Sequence, residues 1–321
     1  MTPQELSQHL QRIREEVGKA LLGQDEVIEQ VLLAVFAKGH VLIEGVPGLG
    51  KTLLVRTLAR VLGCEFKRIQ FTPDLMPSDV TGGNVFDQRQ NAFTFLPGPI
   101  FTQLCLADEI NRAPAKTQAA LLEAMADYSV SADGQTRPLP TPFFVIATQN
   151  PVESHGTYPL PEAQLDRFMM KIHVGHPTHE VEKAILRNTV HGFDAGNLDT
   201  SGVQRVFTHE HVAHVQQSMS NIRVDEGIVE YIAEIVGRTR GHRSIYLGAS
   251  PRASIALLKT SRVRAAMAGR DFVVPDDVKL LAHAVMRHRL VLHPDAELEG
   301  TTADDCIDGI LREANVPRTA A

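Results

Sequence analysis

The chain has 321 residues, enough for one large or two medium domains with a substantial core. Hydrophobic residues make up 43% and charged residues 22%, which excludes wholesale disorder, and 38 acidic against 32 basic residues give no general attraction to nucleic acid. No apolar stretch is long enough to span a bilayer, the start lacks a signal-peptide core, and Cys64, Cys105 and Cys306 are few and unpatterned; a cytoplasmic location is expected.

Thr2-Pro3-Gln4-Glu5 opens the chain as a capping box with proline at the first helical position, followed by the apolar stripe Leu6, Leu10, Ile13 and Val17. A second helix is predicted from Val27, Ile28, Val31, Leu32 and Val35, with Leu22-Gly23-Gln24 between the two. From there short apolar runs at 40–44, 66–71, 103–107, 143–148 and 168–174 alternate with helical patterns, which predicts an α/β fold with a mainly parallel sheet. Two segments break the rhythm. The stretch 73–99, with Val85-Phe86-Asp87 and Ala92-Phe93-Thr94-Phe95, and the stretch 128–140, with Asp133-Gly134, read as hairpins lying off the sheet. Beyond about His176 the strand signals mostly stop. Segments 178–190, 208–220, 225–239, 252–268 and 275–290 read as helices of a second, smaller domain, with a mostly polar link over His191–Gly202. The division expected is 1–175 and 176–321.

The first of the strand–helix transitions carries the strongest signal. Gly45-Val46-Pro47-Gly48-Leu49-Gly50-Lys51-Thr52 fills every position of the phosphate-binding loop pattern, after the run Val41-Leu42-Ile43 and before a helix that begins with Leu53. Glycines let backbone N–H groups close around phosphates, and the helix N-terminus adds partial positive charge. Lys51 would reach the β- and γ-phosphates of a nucleoside triphosphate, and Thr52 would hold Mg²⁺.

Hydrolysis needs more than a phosphate loop. Leu104-Cys105-Leu106-Ala107-Asp108-Glu109 ends a buried strand in two acids: Asp108 as a Mg²⁺ ligand, directly or through water, and Glu109 as the general base for the attacking water. The run from Phe143 ends in Asn150, which can donate to a γ-phosphate oxygen and accept from water. Arg167 is the candidate arginine finger, and Arg252, at the start of a helix in the second domain, could touch the nucleotide from above.

Together Lys51-Thr52, Asp108-Glu109-Ile110-Asn111-Arg112-Ala113-Pro114, Ala147-Thr148-Gln149-Asn150-Pro151, Leu165-Asp166-Arg167-Phe168 and Gly248–Ala253 resemble the MoxR family of AAA+ ATPases, in order and over nearly the whole chain. The resemblance implies a three-layer parallel-sheet P-loop domain with an all-helical C-terminal lid. It implies Asp108 and Glu109 as the Walker B pair, Asn150 as sensor 1, Arg167 as a finger reaching a neighbour's site and Arg252 as sensor 2. Gln24 would lie beside the adenine base. It further implies ATP and Mg²⁺, a homo-oligomeric ring, most simply a hexamer, a partner with a von Willebrand A domain, and a chaperone-like action on protein clients, in some members the maturation of metal-containing enzymes. No catalytic position departs from the pattern; Cys105 in the Walker B strand is unusual but chemically quiet.

Other signals are weaker. His173, His176 and His179, and His209, His211 and His214, bring no cysteine and match no zinc pattern, so solvated or capping histidines are expected. The region from Arg243 to Arg289 is locally basic but poor in aromatic residues, which favours an acidic protein surface over a nucleic-acid channel. A motor acting on nucleic acid and a non-hydrolysing nucleotide switch are the alternatives; a GTPase is disfavoured because Asn-Lys-x-Asp is absent.

Overall fold

A computed structural model describes residues 2–89, 91–132, 134–151 and 157–317. The predicted turn residue Asp133, and both extreme ends of the two expected domains, lie outside the described residues. The chain runs α1 (Pro3–Gly18), α2 (Asp25–Phe36), β1 (Val41–Glu44), α3 (Lys51–Leu62), β2 (Phe66–Gln70), α4 (Pro77–Thr81), β3 (Gly82–Asp87), β4 (Ala92–Pro97), β5 (Leu104–Asp108), α5 (Ala115–Asp127), β6 (Ser129–Ala132), β7 (Gln135–Pro138), β8 (Phe144–Gln149), α6 (Glu162–Leu165) and β9 (Met170–His173). There follow α7 (His179–Val190), α8 (His209–Ser218), α9 (Glu226–Thr239), β10 (Ile245–Leu247), α10 (Pro251–Met267), α11 (Pro275–Met286), β11 (Val291–Leu292), α12 (Pro294–Leu298) and α13 (Ala303–Glu313).

The five apolar runs form one parallel sheet in the order β2-β5-β8-β1-β9. Alternation along each strand splits its side chains between two cores. Val41, Ile43, Leu104, Leu106, Phe144 and Ile146 face the layer of α1, α2 and α3. Leu42, Cys105, Ala107, Val145 and Ala147 face α5 through Leu121, Leu122 and Met125. Both faces are covered, as an all-parallel sheet requires. Because all strands run the same way, the segments after β1, β5 and β8 meet at one edge of the sheet, and the segments entering them meet at the other.

The capping box at α1 forms as predicted: Thr2 Oγ1 accepts from Glu5 N–H (3.2 Å), and Glu5 Oε2 accepts from Thr2 N–H (2.8 Å). Both insertions are antiparallel hairpins outside the main sheet, β3–β4 after the short α4, and β6–β7 between α5 and β8.

The lid is not purely helical. Ile245–Leu247 pairs antiparallel with Val291–Leu292, two segments too short to carry a period-two signal, and α12 and α13 extend it beyond the last predicted helix. Its apolar face, with Ile232, Leu257, Val285 and Ile310, continues the core that covers one side of the sheet. Ser7 of α1 donates to the Met267 carbonyl at the end of α10 (2.8 Å), and Glu29 of α2 pairs with Arg264 (2.7 Å), so the first two helices bridge sheet and lid.

Candidate functional site

The phosphate loop links the end of β1 to α3. Gly50, at φ +76°, takes the left-handed conformation that starts the helix, which a residue with a Cβ adopts only at a cost of about 1–2 kcal/mol. Gly45 is needed for a different reason: a Cβ there would sit 2.7 Å from the Val174 carbonyl, which belongs to the backbone after β9. Val46 is half-buried in the loop. Lys51 Nζ donates to the Gly45 carbonyl at 2.5 Å, folding the side chain back over the loop. Partial burial lowers its pKa, opposed by the carboxylates of Asp108 and Glu109.

Two adjoining cavities lie at this edge. One, of about 540 Å³, is lined by Lys51, Thr52, Asp108, Glu109 and Asn150, with Pro47, Gly48, Gly50 and Leu53 of the loop beneath. The structure thus brings together the residues the sequence proposed for phosphate chemistry. The other, about 460 Å³ and mainly apolar, shares Gly48, Gly50 and Leu53 and adds Leu21, Leu22, Gln24, Leu49, Ile185 and Phe193. Its size and lining suit a base and sugar beside the phosphates. Gln24 donates from Nε2 to the Leu49 carbonyl (2.8 Å), which ties the segment between α1 and α2 to the phosphate loop.

The acids are held in place. Thr148 of β8 donates to Asp108 Oδ1 (2.6 Å) and its hydroxyl accepts from Glu109 N–H (2.9 Å), a link made possible because β5 and β8 are neighbours. Arg68 of β2 donates to Asp108 Oδ2 through Nε (3.1 Å) and Nη2 (2.6 Å). Glu109 Oε2 accepts from Gln70 (2.8 Å) and Arg112 (2.9 Å). Glu109 also stands at φ +56°, ψ +50°, a left-handed conformation that non-glycine residues seldom adopt and that recurs where function dictates side-chain direction. Thr52 and Asp108 supply hydroxyl and carboxylate oxygens to one cleft, the hard donor set that magnesium takes, and Asp108 Oδ1, which accepts from Thr148, has a second lone pair, so these residues fit that ion. Burial pushes the Cys105 thiol up to about 12, consistent with an inert side chain inside β5.

Sequence reasoning missed several residues here. Arg68 and Arg56 line the phosphate cleft, and the link after α7 borders it: Arg56 Nη2 donates to the Gly196 carbonyl (3.0 Å), and Arg60 pairs with Asp199 (2.6 Å). What reads as a polar linker lines this cleft through Ala195 and Gly196.

Arg167 and Arg252 lie elsewhere. Arg167 precedes β9, at the edge where strands begin; the neighbouring Met169 N–H donates to the His40 carbonyl just before β1 (2.8 Å). Its Nη1 donates to the Leu122 carbonyl of α5 (2.8 Å). The four residues of β9 separate it from the cleft edge by about 13 Å at about 3.3 Å per residue. Arg252 is not among the residues that line either cavity at the cleft. Arg252 lines a third cavity, about 290 Å³, together with Arg167, Lys38, Lys259 and Arg289. The reason is that Ser250, which begins α10, donates to Asp166 Oδ2 (2.9 Å), fastening this end of the lid to the segment before β9.

The hairpin phenylalanines also divide. Phe93 (72% exposed) and Phe86 (46%) pack edge-to-face at 5.3 Å on the open side of β3–β4. Phe95 stands apart from them: its ring lies against Phe101 (5.8 Å) and beneath the Arg137 guanidinium of the other hairpin (3.7 Å).

Comparison with known proteins agrees with this geometry. The family model described as "ATPase family associated with various cellular activities (AAA)" matches residues 40–170, and the AAA lid domain model matches 237–310. The chain is 47% identical over 305 residues to the uncharacterized protein YeaC of Bacillus subtilis, covering 94% of this chain and 93% of that protein. It is 42% identical over 321 residues to the chaperone MoxR1 of Mycobacterium tuberculosis, covering 97% and 83%. A crystal structure of a candidate ATPase from Cytophaga hutchinsonii superposes with a TM-score of 0.90 at 40% identity, covering 98% of this chain and 97% of that one. With the cleft, the sheet order and the lid on one side and these likenesses on the other, the chain belongs to the MoxR family of AAA ATPases and is a nucleotide-binding ATPase.

Proposed function

We propose that the chain hydrolyses ATP in sites shared between adjacent copies of a ring, and uses the energy to remodel protein clients. In this reading residues 1–175 form the nucleotide domain and 176–321 the lid. The base and ribose occupy the apolar cavity beside Gln24, and the phosphates lie along Gly45–Thr52. Thr52 and Asp108 would hold magnesium, which would neutralise the phosphate charge. Lys51 binds the β- and γ-phosphates, Asn150 orients the water, and Glu109 takes its proton.

The observation that carries the shared-site reading is the position of Arg167. It stands at the sheet edge opposite the phosphate cleft of its own chain, further away than an arginine side chain spans. If Arg167 is a finger, it acts from there on a nucleotide bound to another copy, and head-to-tail repetition of that contact gives a ring where the rotation closes. Arg252, on the same face, would reach the same neighbouring nucleotide. The number six, a cytoplasmic location, a partner with a von Willebrand A domain and clients such as metal-containing enzymes rest on likeness to the MoxR family. Phe86 and Phe93 are proposed to grip the client, with Phe95 fixing their hairpin to the second one. Among the described residues no helix is long and apolar enough to cross a membrane.

Arg167→Ala tests the reading: it should bind ATP normally while turnover falls by about 10³–10⁵. Mixing it with Glu109→Gln chains should restore activity, because each variant supplies what the other lacks. Absence of recovery in mixed rings would overturn the shared site.

A further inference from the structure

One buried side chain of the lid grips the segment that carries Arg167. Arg289 follows α11 in a short 3₁₀ turn, with only 3% of its side chain exposed. Its Nε donates to Asp166 Oδ1 (2.8 Å). Its Nη2 donates to the Phe168 carbonyl (2.6 Å) and, more weakly, to that of Asp166 (3.4 Å). Its Nη1 donates to the Met169 carbonyl (3.2 Å) and to the Val285 carbonyl of α11. The fork therefore holds the backbone immediately before and immediately after Arg167. His288 adds Nε2 to the Phe168 carbonyl (3.0 Å), and Ser250 holds the second oxygen of Asp166. Only a guanidinium, planar and with five donors, can serve a carboxylate and several carbonyls at once; lysine keeps the charge but not the fork.

We propose that Arg289 is the positioning residue for Arg167, setting from within the lid where the finger points. The proposal rests on the reading of Arg167 as a finger acting in trans. A lid that shifts carries the finger with it, because lid and finger segment are bonded through a buried group. The link that lines a chain's own cleft leads into that same lid, so nucleotide occupancy in one copy becomes linked to hydrolysis in the next. Arg289 touches neither nucleotide nor the reacting atoms in this arrangement; its effect passes entirely through the segment 166–169.

The test is Arg289→Lys in the full-length chain. In uniform rings kcat should fall about 10- to 100-fold, the scale of a finger displaced by about 1 Å, while KM for ATP stays near wild type because the chain's own cleft is at the other edge. The mixing assay then separates positioning from general damage. Combined one to one with Glu109→Gln chains, Arg289→Lys should regain turnover at about a quarter of the interfaces, those in which an intact finger enters an intact cleft. Arg167→Ala mixed with Glu109→Gln serves as the reference. If that reference recovers and the Arg289→Lys mixture does not, Arg289 supports its own chain's cleft or fold and the proposal is overturned. If neither recovers, the trans reading falls and takes the proposal with it. Wild-type kcat in uniform Arg289→Lys rings also overturns it. Should Arg289→Lys fail to fold, Asp166→Asn, which keeps the shape and the Ser250 contact while removing the charge, should show the same kcat loss, unchanged KM and recovery by mixing; normal kcat in that variant refutes the proposal.

Discussion

Acidification from about pH 7 to about pH 5 should destabilise the chain by about 2 kcal/mol through His40 alone. His40 is buried where β1 begins. Its Nδ1 accepts from the Val145 N–H of β8 (3.0 Å), and its Nε2 donates to the Met125 carbonyl of α5 (3.1 Å). The neutral ring with its proton on Nε2 serves both partners, whereas a second proton would set donor against donor. Burial, only partly offset by the bond to Met125, holds the pKa at about 4 instead of 6.5. As pH falls below 6.5 the unfolded chain gains a proton that the folded chain refuses until about pH 4. Stability is therefore full above about 6.5 and is lost through the interval at about 1.4 kcal/mol per pH unit, about 3 kcal/mol in all and about 2 by pH 5. His288, pushed well below its ordinary value by burial and by Arg289, adds a loss of the same sign. The assay is urea unfolding at both pH values, at matched protein concentration, for the wild type and His40→Gln. The variant loses one of two buried hydrogen bonds and should be about 1–3 kcal/mol less stable near pH 7, yet its drop on acidification should be smaller by about 2 kcal/mol. Equal drops in the two proteins would refute the reasoning.

Three further outcomes are expected. Glu109→Gln should retain bound ATP while turnover disappears, since Gln70 and Arg112 still hold the side chain but the base is gone; a normal single-turnover rate would remove Glu109 as the base. Phe193→Ala should raise KM for ATP about 10- to 100-fold with kcat nearly unchanged, as befits a residue that lines the apolar cavity and touches no phosphate; a loss confined to kcat would contradict the base-binding assignment. Phe86→Ala with Phe93→Ala should leave ATP hydrolysis intact and abolish client remodelling, read by affinity capture on Glu109→Gln rings; undiminished capture would clear both residues of a client role.

What was legible in the sequence was what is contiguous. The phosphate loop, the acids at the end of β5 and the polar end of β8 each occupy one short run whose spacing encodes a strand, a turn and a side-chain chemistry. Their convergence followed from the rule that parallel strands present their carboxyl ends together. Arg68 was hidden because it reaches Asp108 only when β2 lies beside β5, an order that local periodicity does not carry. Phe193 sits in a stretch that reads as a polar linker, and the residues that line its cavity include Leu21, Leu22 and Gln24 of the segment between α1 and α2. Where Arg252 sits was not legible either, because the bond from Ser250 to Asp166, between residues 84 apart in sequence, fastens the start of its helix to the other edge of the sheet. Arg289 carried no motif at all, since its role depends on burial against a segment far earlier in the chain.

The most direct test of the central claim is turnover per chain measured across a dilution series, with assembly state followed in parallel by sedimentation. The account predicts that hydrolysis rises with the fraction of chains in rings and falls by about 10³ or more when they dissociate, while ATP binding persists. A dissociated, single-chain preparation that cleaves ATP at the rate of the assembled one would contradict it.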